Sequence, residues 1–578
     1  MSRRARTSAI ASKAPVLGAA VVLLGLLTYP LLFTSSGFEG DWEHHLWLLW
    51  HQSLSLQSDH FPSLFLNSSY SVFYPTYAFY GGTLYAVGGL LSLALGGAPV
   101  SAYVLVYVLD FAAAFGGWWW LGRMAGLGSW LSMVPGLVFV TSAYYMLVIY
   151  AQGDWPAFTG ISMIPLMVAA GLSVLRADRL RLGAAFALAS SSILFFGAHN
   201  ITILLGLTTL ALAGAATVVL VPDARRQITP RGVARLAGVV LPAVLLNAWY
   251  LLPNLAYGAR TRIGDKVSEG PASLRGTVGL VSLSHLFTFA RTGLPGPLPV
   301  LAVAWVLAGI LILPWGRRDR TWTRLLLICS GVSLLAAIAM THVGLLLALP
   351  RPYRLIQFSY RLEIYVVLAL CAAILAALAL ARRGSRRARV WTWMAVPVCA
   401  ASLVGAVQQL GAIAYPGQDR YETLESYGQV ETGDNEDFDD ASAPAVSAAN
   451  LPTLLFPPLG VHDDRVSGSV RVAPGTLVAT NIAAGSYMVH ITGAKAVGID
   501  PRTNLMVLQI GSGDGGTARR PGPALASTAP VAEETISVST SESLPIVLGR
   551  VLTLIALAVL AGGLLFLAAR RLRRFGSR

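Results

Sequence analysis

The sequence predicts an all-α polytopic membrane domain of about 12–13 transmembrane helices, then a C-terminal extracytoplasmic β-rich domain and a final transmembrane helix. Three observations carry this. Of 578 residues 55% are hydrophobic and only 12% charged, with a mean hydropathy of +0.63, whereas soluble domains average about 25% charged residues. Apolar windows long enough to cross a ~30 Å hydrocarbon core, about 20 residues each, recur along the chain. Between residues 416 and 544 the pattern changes to short alternating runs bounded by Gly, Pro and Asn, the signature of strands.

The windows fall near 15–33, 77–96, 99–121, 129–149, 157–175, 182–198, 200–221, 233–253, 297–315, 324–349, 360–381, 391–415 and 545–569. The first follows Arg3-Arg4-Ala5-Arg6 and lacks a small-x-small cleavage site, so it is an uncleaved signal anchor. The domain boundaries that follow are 1–415 for the membrane domain, 416–544 for the β-rich domain, and 545–578 for the last helix with its basic tail. Strands are expected at Ser469–Val472, Thr476–Thr480, Tyr487–Thr492 and Leu505–Ile510, and a mobile loop over Gly511–Glu534.

The net charge of +14 would suggest a nucleic-acid partner in a soluble chain. Here the arginines cluster in short loops between spans, which makes the excess a topology signal and excludes that partner. The N-terminal arginines, Arg123, Arg176–Arg181, Arg225–Arg235, Arg317–Arg324, Arg382–Arg389 and Arg570–Arg574 are assigned to the cytoplasm. Both termini are then cytoplasmic, and the turns holding Asp41, Asp154, His199 and Arg351–Arg361 face outward. An even number of crossings is required, so one of the three windows between 77 and 149 does not span fully. Lysine occurs only at Lys13, Lys266 and Lys495 while Ala, Gly and Leu abound, as in a GC-rich bacterial genome. Cys329, Cys371 and Cys399 lie inside apolar windows with no CxxC spacing, and are packing residues.

Four short polar constellations interrupt this background. Glu39-Gly40-Asp41-Trp42-Glu43-His44-His45 follows the first window, and charge held near lipid is a functional-site hypothesis by default. If a helix starts there, Asp41, His44 and His45 share one face and suit a general base or part of a metal site. The alternative is an interfacial loop anchored by Trp42, Trp47 and Trp50. Gln152-Gly153-Asp154-Trp155-Pro156 offers a second carboxylate, or an ordinary helix cap. His199-Asn200 ends a span, again as a pocket group or a cap. Last, Arg351, Arg354 and Arg361 in Pro350–Glu363 lie outside, against the positive-inside tendency, where guanidinium forks suit a phosphate. The alternative there is a local ion pair of Arg361 with Glu363 or with an outer acidic loop.

Together these groups match what sugar transfer from a lipid-linked phosphate needs: a base for the acceptor hydroxyl and cations for the leaving phosphate. No Walker loop, GxGxxG before a helix, HExxH or partnered GxSxG is present, so nucleotide hydrolysis and zinc or serine proteolysis lack support.

The layout resembles the GT-C superfamily of polytopic glycosyltransferases, most nearly large bacterial proteins of the YfhO type and more loosely actinobacterial arabinofuranosyltransferases. The likeness rests on Gly40-Asp41-Trp42 with His44, followed by Phe73-Tyr74-Pro75 and Phe79-Tyr80-Gly81. It continues in Gln152-Gly153-Asp154-Trp155 leading to Ile164-Pro165-Leu166, in His199-Asn200, and in Gln357-Phe358-Ser359-Tyr360-Arg361. Ser359 stands where the pattern has proline, Asp154 where glutamate is common, and the acidic run 431–440 has no counterpart.

The resemblance implies a GT-C-like fold with an extracytoplasmic site in a bacterial plasma membrane. It implies a polyprenyl-phosphate sugar as donor and a cell-envelope glycan, lipid or protein as acceptor. Asp41 would be the catalytic base or a ligand of a divalent ion beside it, and Asp154 the second carboxylate. Arg361 with Arg354 would hold the donor phosphate, while Glu43, His44, His45, His199 and Gln357 would shape the substrate pocket. Direct displacement would invert the anomeric centre. Two other classes remain at this stage: a lipid or polysaccharide transporter or flippase centred on Asp110, and a non-catalytic scaffold presenting a glycan-binding β domain.

Overall fold

The computed structural model describes residues 14–33, 41–66, 73–261, 300–312, 319–342, 345, 353, 356, 359–383, 390–412, 444–447, 460–462, 464–483, 488–503, 505–511 and 533–576. Arg351, Arg354, Gln357, the acidic run 431–440 and nearly all of the 511–534 loop lie outside the described residues.

Each of the apolar windows holds a helix. Among the described residues seven helices are long and apolar enough to cross a membrane, or nine if each of two bent pairs counts as one span. Shorter apolar helices occupy the remaining windows. The chain is a multi-pass membrane protein with a small C-terminal β region, as its composition dictates. It divides into two compact units interleaved in sequence: one of residues 1–46, 100–244 and 269–420, the other of 47–99, 245–268 and 421–578.

The first unit contains α1 (Ala14–Phe33) and the start of α2 (Trp42–Asp59). The helix α3 (Gly82–Ala94) belongs to the second unit. The first unit resumes with α4 (Pro99–Met124), then α5 (Leu131–Val140) and α6 (Ala143–Gln152), which meet at a 50° bend. It continues through α7 (Trp155–Arg176), α8 (Leu182–Phe196), α9 (Asn200–Leu220) and α10 (Pro230–Leu245). The stretch expected to hold a window that fails to span thus contains a 13-residue helix and a broken one. At 1.5 Å per residue α3 rises about 20 Å, short of the ~30 Å core.

α4 and α7 are fixed side by side by buried contacts. Asp110 accepts from the Thr159 hydroxyl at 2.6 Å, Phe158 packs on Tyr107 and Phe111, and a Cβ on Gly117 would strike the α7 backbone at Pro165 and Leu166.

In the second unit, α11 (Ala248–Arg260) packs against the last helix. In the first, α12 (Val300–Ile312), α13 (Arg320–Thr341), α14 (Ser359–Arg383) and α15 (Thr392–Leu410) complete the helices. From Glu363 to Ala381 every residue of α14 except Ala372 is buried, which explains its continuous apolar run.

The β region lies in the second unit. Strands β1 (Gly460–His462), β2 (Arg465–Val472), β3 (Leu477–Ala483), β4 (Val489–Thr492), β5 (Ala494–Asp500), β6 (Leu505–Ile510) and β7 (Glu534–Glu542) form two antiparallel sheets. Their orders are β1-β2-β7-β4 and β3-β6-β5. In β2 Val466, Val470 and Val472 face inward while Arg465, Ser467 and Arg471 are exposed, the period-two pattern legible in the sequence. From β7 the chain enters α16 (Leu544–Gly576) after the single residue Ser543, with Pro545 in the helix's first turn.

Candidate active site

The two carboxylate-bearing motifs of the first unit are stitched together by backbone. The Asp41 amide donates to the Gln152 carbonyl at 2.7 Å, and the Asp41 carbonyl accepts the first helical bond of α2 from the His45 amide at 3.0 Å. Asp41 is therefore the residue on which α2 starts, and the conditional helix of the sequence reading forms. Gly153 passes directly under the Trp42 amide, where any Cβ would collide, and its φ of 66° is left-handed. Both facts require glycine.

From there Asp154 caps α7, its Oδ1 accepting from the Ala157 amide at 3.1 Å. Its Oδ2 lies 3.9 Å from Arg361 Nη2. The cap and the paired carboxylate, alternatives in the sequence, are both present, one on each oxygen. Arg361 comes from the turn that opens α14, more than 200 residues away in sequence.

An aromatic plinth holds the crossing. Trp42 stacks on Tyr107 with centroids 5.5 Å apart and meets the edge of Tyr103 at 4.6 Å, while Tyr103 meets Trp155 at 5.0 Å. The Tyr103 hydroxyl donates to the Trp42 carbonyl at 3.4 Å and lies 3.3 Å from the Tyr107 hydroxyl. It is within electrostatic reach of both Asp41 and Asp154. The anchoring alternative fails for Trp42 and Trp47, which are 3% and 0% exposed and belong to packed interiors.

The histidines close one side. His199 caps α9, its Nδ1 accepting from the Ile201 amide at 3.3 Å. In the neutral ring that bond places the proton on Nε2, making it a donor. Burial, then the charge of Arg361, pushes the His199 pKa down to about 3. His45 is buried and likewise pushed down, first by burial and then by His44 and His199. The His44 and His45 rings lie 5.3 Å apart. Asp154 is shifted the other way: burial lifts its pKa against the opposing pull of Arg361 and the Ala157 amide.

The structure thus gathers Asp41, His44, His45, Asp154, His199 and Arg361 from four stretches of chain. Glu43 is half-buried in the first turn of α2. Of the two ion-pair alternatives for Arg361, the one with Glu363 does not form, since Glu363 is fully buried and among the described residues neither of its oxygens has a hydrogen-bond partner, whereas the one with an outer acidic loop is matched by Asp154 at 3.9 Å. Asp110 is tethered to Thr159 inside the bundle. Trp155 belongs to the Gln152–Trp155 motif already legible in the sequence, but Tyr103 and Tyr107 did not stand out, because aromatic residues inside an apolar window look like any other packing residues.

Among the described residues no three His, Cys, Asp or Glu side chains group as a metal cage. Asp154 has one oxygen on an amide and the other 3.9 Å from a guanidinium, so a divalent ion bound there would stand beside the Arg361 charge.

No family model and no curated relative matches the chain. Among solved structures it is similar to the arabinofuranosyltransferase AftD from mycobacteria, at 16% identity and a TM-score of 0.44 over 70% of this chain and 27% of that one. It is similar to the Archaeoglobus fulgidus oligosaccharyltransferase in complex with zinc and sulfate, at 14% identity and a TM-score of 0.38 over 70% of this chain and 54% of that one. It is also similar to ArnT from Cupriavidus metallidurans, at 14% identity and a TM-score of 0.30 over 65% and 78%. The chain therefore spans about a quarter of AftD and about half of the oligosaccharyltransferase. At these identities and scores the likenesses assign no activity to this chain.

Proposed function

We propose that this chain is an integral-membrane glycosyltransferase of the GT-C type. It transfers a sugar from a polyprenyl-phosphate donor to a cell-envelope acceptor on the outer face of a bacterial plasma membrane. One observation carries the reading: the Asp41 amide bonded to Gln152, one residue from the Gly153–Asp154 corner, with Arg361 brought to Asp154.

In this reading the acceptor hydroxyl approaches Asp41, the most exposed acid of the group. Asp41 takes its proton as the oxygen attacks the anomeric carbon. The bond from that carbon to the donor phosphate breaks, and the phosphate leaves with the electron pair. Arg361 stabilises the charge that gathers there, in surroundings dry enough to strengthen the interaction. The Nε2–H of His199 donates toward the same region. Attack opposite the leaving phosphate inverts the anomeric centre.

Asp41→Asn tests the assignment, since it keeps the shape and the backbone bonds of the residue but cannot accept the proton. Expected is loss of transfer from a radiolabelled polyprenyl-phosphate sugar by at least about 100-fold, with unchanged thermal unfolding. Full activity would remove Asp41 from the mechanism. The carrier reading draws on Asp110, but its bond to Thr159 within the α4–α7 packing favours a tether over a transport site.

A further inference from the structure

At the end of α7 opposite to Asp154, about 33 Å away along the helix, lies a different surface. The end of α7 with the α7–α8 connection, and the segment after α9 with the first turns of α10, together carry Arg176, Arg179, Arg181, Arg225, Arg226, Arg231 and Arg235 against only Asp178 and Asp223. The two segments are neighbours: Arg235 Nη1 donates to the Asp178 carbonyl at 2.8 Å, and Gly232 lies so close to the Leu175 carbonyl that a Cβ would overlap it. Asp223 is engaged by the Thr321 hydroxyl at 2.9 Å. Arg179, Arg181, Arg225, Arg226 and Arg231 are exposed, and among the described residues none has an ion-pair partner.

Apolar side chains are interleaved with these cations. Leu180 stands between Arg179 and Arg181 and is 44% exposed; Leu182, Ile228 and Val233 are also exposed. Water and soluble anions offer nothing to such side chains. A membrane surface offers acyl chains for them and phosphates for the guanidiniums at the same depth.

We propose that these two connections form a binding surface for anionic phospholipid headgroups, with forked arginine–phosphate bonds outside and Leu180, Leu182, Ile228 and Val233 dipping toward the acyl region. The surface is separate from the candidate active site and does not depend on its chemistry.

The full chain in nanodiscs of phosphatidylcholine alone, or with about 30% phosphatidylglycerol, tests this by thermal unfolding. Expected is a midpoint several degrees higher in the anionic discs, suppressed by about 0.5 M sodium chloride. The gain should be absent in R179Q/R181Q/R225Q/R226Q/R231Q, whose midpoint in neutral discs stays that of the unaltered protein. The paired variants R179Q/R181Q and R225Q/R226Q each remove part of the gain, should the fivefold variant fold poorly. An equal gain in the altered and unaltered proteins would overturn the proposal. So would inorganic phosphate reproducing the gain in neutral discs, since that would make the surface a free-anion site.

Discussion

Each unit has an aspartate buried beside an arginine that is itself largely shielded, Asp154 with Arg361 and Asp464 with Arg550, and the two pairs are built differently; Asp500 in the second unit pairs instead with the exposed Arg502. In the first unit Asp154 receives a single amide bond, and Arg361 stands off at 3.9 Å. In the second unit Asp464 is saturated. It accepts from the Ser63 hydroxyl, from the Leu64 amide at 2.9 Å and the Phe65 amide at 3.3 Å, and from Arg550. Arg550 also bonds Glu542 and lies over the Phe61 ring. A buried charge with every lone pair met is a structural clamp, tying the β1–β2 turn, the 61–66 segment and α16 together. A buried carboxylate left partly met, as Asp154 is, is slack by comparison, with acceptor capacity still open.

The largest effect should come from breaking the saturated pair. Arg550→Met strands the Asp464 carboxylate and should cost about 3–5 kcal/mol in thermal or denaturant unfolding. The slack pair should respond the opposite way. Arg361→Lys keeps the charge but loses the fork, and should cut transfer about 100-fold, some 2.7 kcal/mol in the barrier, with little change in unfolding. Equal stability losses in the two variants would erase the distinction.

Glu363, another buried acid of the first unit, has no hydrogen-bond partner among the described residues. Replacing an unpaired buried polar group by an apolar one of similar shape removes its desolvation penalty, so Glu363→Met should raise stability by about 1–2 kcal/mol. A fall in stability would mean that the carboxyl is held by a partner.

The smallest effect is on acid stability. His199 in the first unit and His51 in the second have folded pKa values pushed down to about 3 and about 4, chiefly by burial. A depressed histidine stabilises the fold fully above its unfolded value of about 6.5, and that contribution is lost as pH falls toward the folded value. Each should therefore cost about 1 kcal/mol by about pH 5.5. Asp154 and Asp464 are raised and act with the opposite sign, so acidification relieves their burial as it passes through their folded values. His199→Asn, which can retain the cap on α9, should flatten the slope attributable to the first unit alone.

Helix positions were legible because a membrane window needs only local composition, and the thirteen windows each contain a helix. Strands β2, β3, β4 and β6 were legible from alternation for the same reason. Asp41, Asp154, His199 and Arg361 stood out because polar residues are rare in such a background. What Arg361 pairs with was not legible. Glu363, two residues away, was the nearest acid in sequence, yet positions two apart at the start of a helix do not face each other.

Composition and local periodicity alone determined that this chain enters a membrane, where its helices and strands lie, and which few polar residues need an explanation. Only the tertiary structure decided that Gly153 runs beneath Trp42 and that Arg361 faces Asp154. It also decided that Asp464 and not Asp154 is the saturated acid. Helix propensity and transfer free energy are summed over neighbours in sequence, whereas pairing and desolvation depend on which distant segments share a few ångströms of space.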